Sequence, residues 1–217
     1  MRASNAYLRK TETGELILID SGMPGNARKI AEYIQAKNLD PKTLSLLLIT
    51  HSDIDHAGSI WELKQKFAPN AKSAIHSEDA PRVAGEKKLK EVKGAMGVVM
   101  GVMGPLMRFH TFQPDVILKD NDVVGDLNTI YTPGHTQGSV CFYNEKEKVL
   151  FSGDTLLVDG SRNAVFASKS ISYDLELTKK SVESRIKDLD YEILLPGHGP
   201  PITSGASAKV RELLSKS

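Results

Sequence analysis

Directly behind the apolar run LSLLLIT (44–50), the sequence HSDIDHAG places two imidazoles and two carboxylates within six positions: His51, Asp53, Asp55 and His56. The chain has 6 histidines in 217 residues, so this is a local concentration of ligand chemistry. The arrangement recurs further along. His135 follows LNTIYT and a Pro-Gly turn, Asp154 follows KVLFS and a glycine, and His198 follows EILL and a second Pro-Gly. Glycine lets the backbone bend sharply, so the next side chain can point across the end of a sheet. If these four strand ends lie side by side, seven groups converge: His51, Asp53, Asp55, His56, His135, Asp154 and His198. Imidazole nitrogen and carboxylate oxygen are ligands for zinc and for manganese or iron. Three or four per ion, with one position left for water, describe a catalytic site. Seven suit two ions that share one carboxylate. Paired ions hold a bridging hydroxide at neutral pH and polarise a carbonyl or phosphoryl oxygen, which is equipment for hydrolysis. His76 and His110 lack such surroundings and read as structural or surface residues.

The elements that must carry these groups follow from apolar patterning. AYLRK and ELILID flank TETG and read as a hairpin turning at Gly14. Residues 25–38 show helical spacing at Ile30, Tyr33, Ile34 and Lys37, and LSLLLIT has the continuous apolar character of a strand buried on both faces. AGSIWELKQKF (57–67) reads as a helix and AKSAIH as a strand, and SEDAPRV opens with a capping-type serine. DVILKD, LNTIYT, SVCFYN and KVLFSGD are short, β-branched or aromatic strands. A helix is expected over 174–189, then the strand EILLPG, then a final helix capped by Ser204 or Ser207. Strands with interspersed helices, then mostly strands, then strand and helix fit two packed sheets with helices outside, in one domain over 1–217.

Composition narrows the function classes. Hydrophobic residues make up 40% and charged residues 25%, and 28 Lys+Arg against 27 Asp+Glu leave a net charge of +1. That balance gives no electrostatic reason to expect nucleic acid. Cys141 is the only cysteine, so no intrachain disulfide forms; it reads as a buried strand residue in a reducing, cytoplasmic compartment. No signal peptide is visible, and the Met/Gly-rich stretch 94–109 is too short for a membrane span. Met96, Met100, Met103 and Met107 recur there at helical spacing. The stretch reads as core, as a homodimer contact, or as an apolar lid that accepts an acyl group. The basic run 85–93 is a solvated helix face or an anion contact at a pocket mouth.

From about residue 5 to residue 203 the pattern resembles the metallo-β-lactamase superfamily, whose hydrolases carry His-x-His-x-Asp-His and then a distant His, Asp and His at strand ends. The resemblance implies a four-layer αβ/βα sandwich of two mixed sheets with helices on the outer faces and the metals at one edge. It places His51, Asp53 and His135 at a first metal and Asp55, His56 and His198 at a second, with Asp154 bridging. LILIDSG (16–22) matches an early Asp-x-Gly turn, where Asp20 either supports a metal ligand or simply forms the turn. Asp53 departs from the pattern by standing where most members have histidine. Three carboxylates against two divalent ions leave less positive charge, which favours harder ions such as manganese or iron beside the zinc that the family implies. The chain also begins almost at the strand NAYLRK, so the customary first strand is missing or supplied otherwise. The resemblance points to a small ester, lactone or thioester substrate, with Asp55 orienting the hydroxide and taking up a proton. It ranks hydroxyacylglutathione lower, because no C-terminal helical domain fits after 203. A di-iron redox protein and a nuclease or phosphodiesterase are the alternatives.

Overall fold

Leu16–Ile19 is apolar at every position because β2 is covered on both faces. Leu16 and Leu18 point to one apolar layer, and Ile17 and Ile19 to another. The computed structural model describes residues 4–88 and 109–216. In it β1 (Tyr7–Lys10) and β2 (Leu16–Ile19) form an antiparallel hairpin, with Gly14 at φ +87° in the turn. β3 (Leu44–Leu48), β4 (Lys72–His76) and β5 (Val116–Leu118) add in parallel, giving a mixed sheet in the order β1-β2-β3-β4-β5. The second sheet has the order β12-β9-β8-β7-β6: β6 (Val123–Val124), β7 (Leu127–Tyr131), β8 (Val140–Asn144) and β9 (Val149–Gly153) are antiparallel, and β12 (Ile193–Pro196) joins β9 in parallel. A small hairpin, β10 (Leu157–Val158) with β11 (Ala164–Val165), stands apart.

Three apolar layers define the stack. Ile17, Ile19, Leu48, Val140, Phe142 and Phe151 meet between the sheets. Leu47, Ile49 and Ile75 face α1 (Ala27–Ala36) and α3 (Ile60–Lys66) on one outer side. Cys141, Tyr143 and Leu150 face α5 (Leu175–Arg185) and α6 (Ala206–Ser215) on the other. Successive residues of a strand serve opposite layers, so the expected two mixed sheets with helices outside are present. Each fully buried Leu, Ile or Phe contributes about 1.5–3 kcal/mol. Cys141 is buried, as expected, and burial pushes its thiol up to about 11. Among the described residues no helix is long and apolar enough to cross a membrane.

Several local expectations are corrected. The helix expected over 57–67 is present as α3 but starts later, at Ile60, because Ala57 ends a separate short helix, α2 (Ile54–Ala57), whose cap Gly58 is packed so that a Cβ would lie 2.2 Å from the Ile54 carbonyl oxygen. The buried face of α1 is Ala27, Ala31 and Ile34, whereas Tyr33 is exposed beneath Lys37. Neither Ser204 nor Ser207 caps α6. Gly205 does so at φ +63°, its N–H donating to Glu192 Oε2. Ser77 does not cap α4 (Ala80–Val83) either. Asp79 holds that position, but its carboxylate is used elsewhere. Residues 94–108 of the Met/Gly-rich stretch and 89–93 of the basic run lie outside the described residues.

Candidate metal centre

Every sequence-predicted ligand follows a strand at the same end of the stack. The loop after β3 carries His51 and Asp53, and α2 directly behind it carries Asp55 and His56. The loops after β7, β9 and β12 carry His135, Asp154 and His198. His51, His135 and Asp154 offer ligand atoms within 4.8 Å of one another, and so do Asp55, His56 and His198. Asp53 joins the first group, its Oδ2 lying 3.1 Å from His135 Nε2 and 3.7 Å from His51 Nε2. Asp154 stands between the groups. Its Oδ2 is 3.5 Å from both His135 Nε2 and His198 Nε2, and its Oδ1 is 3.4 Å from His56 Nε2. Asp55 Oδ2 lies 3.2 Å from His198 Nε2. All seven predicted residues are therefore brought together, whereas His76 stacks on Tyr131 and His110 on Trp61.

These spacings suit cations. Ligand atoms around a tetrahedral ion with bonds of 2.0–2.1 Å sit about 3.3 Å apart. The Nε2 atoms of His56 and His198 face each other at 3.4 Å. Asp154 Oδ1 is buried with no hydrogen-bond partner among the described residues, a costly state for a carboxylate oxygen unless a cation satisfies it. The local field has the same sign. Burial opposes charge on His56, yet Asp154, Asp20 and Asp55 push it up to about 10. His198 is likewise raised against its burial by Asp55 and Asp154. Burial would raise the Asp55 carboxyl, but His198 and His56 hold it below the usual carboxylate range. Surplus carboxylate that binds protons so firmly also attracts a metal.

The histidines are oriented from behind. Asp20, buried and at φ +59°, accepts from Thr50 N–H and Thr50 Oγ1–H at 2.8 Å each, and its Oδ2 lies 2.8 Å from His56 Nδ1. A carboxylate only accepts, so His56 carries its proton on Nδ1 and turns the Nε2 lone pair to the cluster. Having donated to Asp20, the Thr50 hydroxyl accepts from His51 Nδ1 at 2.9 Å, which fixes the same tautomer there. Gly197 supplies clearance: a Cβ on it would lie 2.1 Å from Asp154 Oδ1 and 2.8 Å from His56 Cε1. Asn5 holds the His198 loop, its Nδ2 donating to the carbonyls of Pro196 and Gly199 at 2.9 and 2.8 Å.

Thr50, Asn5 and Asp79 are the supporting residues that sequence reasoning missed. Each is ambiguous in one dimension: a strand-end threonine, a polar residue near the start, an aspartate before a helical proline. A shallow recess of about 700 Å³, lined by Asn121, Tyr143, Arg185 and Asp190 among others, lies at the opposite end of the second sheet. It holds none of the clustered groups.

A family model described as the metallo-β-lactamase superfamily matches residues 1–198. YobT of Bacillus subtilis, an uncharacterised protein, is 33% identical over 72% of this chain and 63% of its own length. The human acyl-coenzyme A thioesterase MBLAC2 is 29% identical over 84% of this chain and 68% of its own. Among solved structures, TTHA1623 in a di-iron-bound form superposes with a TM-score of 0.72 at 25% identity, covering 95% of this chain and 93% of that one.

Proposed function

Because this chain belongs to the metallo-β-lactamase superfamily, we propose that it is a binuclear metallohydrolase that cleaves the ester, lactone or thioester carbonyl of a small, acyl-bearing substrate. The carrying observation is the meeting of seven ligand-type groups from two sheets around one shared carboxylate, Asp154. His51, Asp53 and His135 would hold one ion and Asp55, His56 and His198 the other, with Asp154 common to both. When bound, such ions would supply a more acidic water and polarise a carbonyl oxygen.

The chain's own residues supply the rest. Asp20 and Thr50 hold His56 and His51 in the tautomer that presents Nε2. Asp55, partly exposed and ionised, orients the attacking water and accepts its proton. His198, also partly exposed, stands on the open side where substrate enters. The likeness to a thioesterase supports an acyl thioester among the three carbonyl classes. The single cysteine supports work in a reducing cytoplasmic compartment.

Asp53 bears on which metal is held. Two divalent ions carry four positive charges, and Asp53, Asp55 and Asp154 offset three. A site of low residual charge with three carboxylates favours manganese or iron beside zinc. The di-iron form of TTHA1623 supports that reading, and it also supports a second one, a di-iron redox centre. The test is a panel of lactones, acyl thioesters and phosphoesters assayed with Zn, Mn and Fe in parallel, alongside Asp55→Ala. We expect metal-dependent turnover of a carbonyl substrate that falls at least 100-fold in the variant. No turnover with any ion, together with oxygen consumption by the iron form, would replace hydrolysis with redox chemistry.

A further inference from the structure

Asp79 is fully buried, yet it is not one of the clustered ligands. A carboxylate removed from water must be satisfied by donors or counter-charges. Among the described residues its hydrogen-bond donors come from two places. Oδ2 accepts from the Ser52 N–H at 2.8 Å and the Thr136 hydroxyl at 2.7 Å, and Oδ1 accepts from the Gly138 N–H at 3.0 Å. Arg82 Nε stands 3.9 Å from Oδ1.

Ser52 sits between His51 and Asp53, and Thr136 directly follows His135. One carboxylate therefore grips the two loops that would bring His51, Asp53 and His135 to the first ion, leaving only the shared Asp154 to come from a third. It makes no such bond to the segments that carry Asp55, His56 or His198. Those are held separately, His56 by Asp20 and the His198 loop by Asn5. The contact is also close: a Cβ on Gly138 would lie 2.6 Å from Asp79 Cβ, so only glycine lets the second loop approach this far. Thr136 is fixed in turn, its N–H donating to Ser139 Oγ at 2.9 Å. The two loops belong to different sheets, so no common strand sets their separation; this bridge acts there beside one direct backbone bond, from the Val140 N–H to the Thr50 carbonyl at 3.0 Å.

We infer that Asp79 is a positioning residue that sets the spacing between the His51–Asp53 loop and the His135 loop, and thereby the affinity of that half of the centre for its ion, independently of the other half. The inference rests on the binuclear reading above. The test is metal titration and elemental analysis of the wild type, Asp79→Asn and the milder Thr136→Val, with Zn and Mn as probes. Asparagine keeps the shape but turns an N–H toward donors that need an acceptor. Supporting groups behind metal ligands typically change affinity 10–100-fold. We expect one of two dissociation constants to rise at least tenfold in Asp79→Asn, the other to stay within threefold, and the circular dichroism to match wild type. Thr136→Val moves the same constant by a smaller factor and decides the matter if Asp79→Asn does not fold. Both constants rising together, or neither changing, overturns the assignment. A wild type that binds fewer than two ions instead overturns the binuclear reading, and the role of Asp79 falls with it.

Discussion

Thr50 has one hydroxyl hydrogen, and its direction decides the tautomer of His51. Asp20 can only accept, so the hydrogen goes to Asp20 and the oxygen lone pair is left for His51 Nδ1. Replacing the hydroxyl by a methyl in Thr50→Val keeps the shape but removes both bonds. His51 is then free to carry its proton on Nε2, where it would block a metal. We expect metal affinity to fall about 10–100-fold and stability to fall by about 1–3 kcal/mol for the buried bond lost. Thr50→Ser should restore most of both. Equal affinity for wild type and Thr50→Val in a competitive chelator titration would show that the hydroxyl does not set the tautomer. The seven clustered groups were legible in the sequence because each follows a run of strand residues through a small-residue turn. Thr50 and Asp79 were not, because their roles exist only between segments that lie far apart along the chain.

At the scale of elements, most strands were legible because continuous apolar runs such as LSLLL and VLFSG are what burial on both faces demands. The two-residue strands β6, β10 and β11 are too short to carry a period, and the Gly205 cap rests on a glutamate 13 residues away. What the strands do for the site depends on how closely their ends approach. Gly197, between β12 and His198, leaves Asp154 Oδ1 no room for a neighbouring methyl. Gly197→Ala must therefore move Asp154 or the His198 loop. A misplacement of about 1 Å at reacting groups costs about 10²-fold in rate, so kcat/KM should drop by that order while the thermal transition stays cooperative. An alanine variant with full activity would mean that the loop relaxes without moving His198. Arg9 ties the elements together at a different point. It is buried on β1 of the first sheet and reaches Asp126 at 2.5–2.8 Å and Glu147 at 2.6 Å beside the second. Its guanidinium, against a smaller opposing effect of burial, holds the Asp126 carboxyl below the usual carboxylate range. A carboxylate depressed in this way stabilises the fold at pH values above its unfolded pKa, about 4, and loses that contribution as pH falls through the folded value. Arg9→Met should thus cost about 1.5–3 kcal/mol near neutrality, and the gap from wild type should narrow below about pH 4. Parallel denaturant curves at neutral and acid pH measure it.

For the whole molecule, the centre is a point where the two sheets are joined by charge rather than by apolar contact. One ligand loop comes from the first sheet and three from the second, so a bound ion adds a tie between strands that also meet through the inter-sheet layer and a few polar bridges such as Arg9 to Asp126. Without ions, four carboxylates (Asp20, Asp53, Asp55 and Asp154) crowd the gap, and protons on His56 and His198 offset part of their repulsion. Each ion that binds the folded chain and not the unfolded one adds RT ln(1 + [L]/Kd), about 4 kcal/mol at a thousandfold excess over Kd. For a chain of this size 1 kcal/mol moves the midpoint by about 2–4 °C. Chelation followed by gel filtration should therefore lower the melting temperature by about 8–16 °C for one ion held at that excess. Adding back Zn, Mn or Fe should restore it in a concentration-dependent manner. The same ladder of additions, read against activity, orders the metals. The ion that raises the midpoint at the lowest free concentration is the one the three-carboxylate centre prefers, and a midpoint indifferent to every ion would leave these seven side chains as a structural cluster that binds no metal.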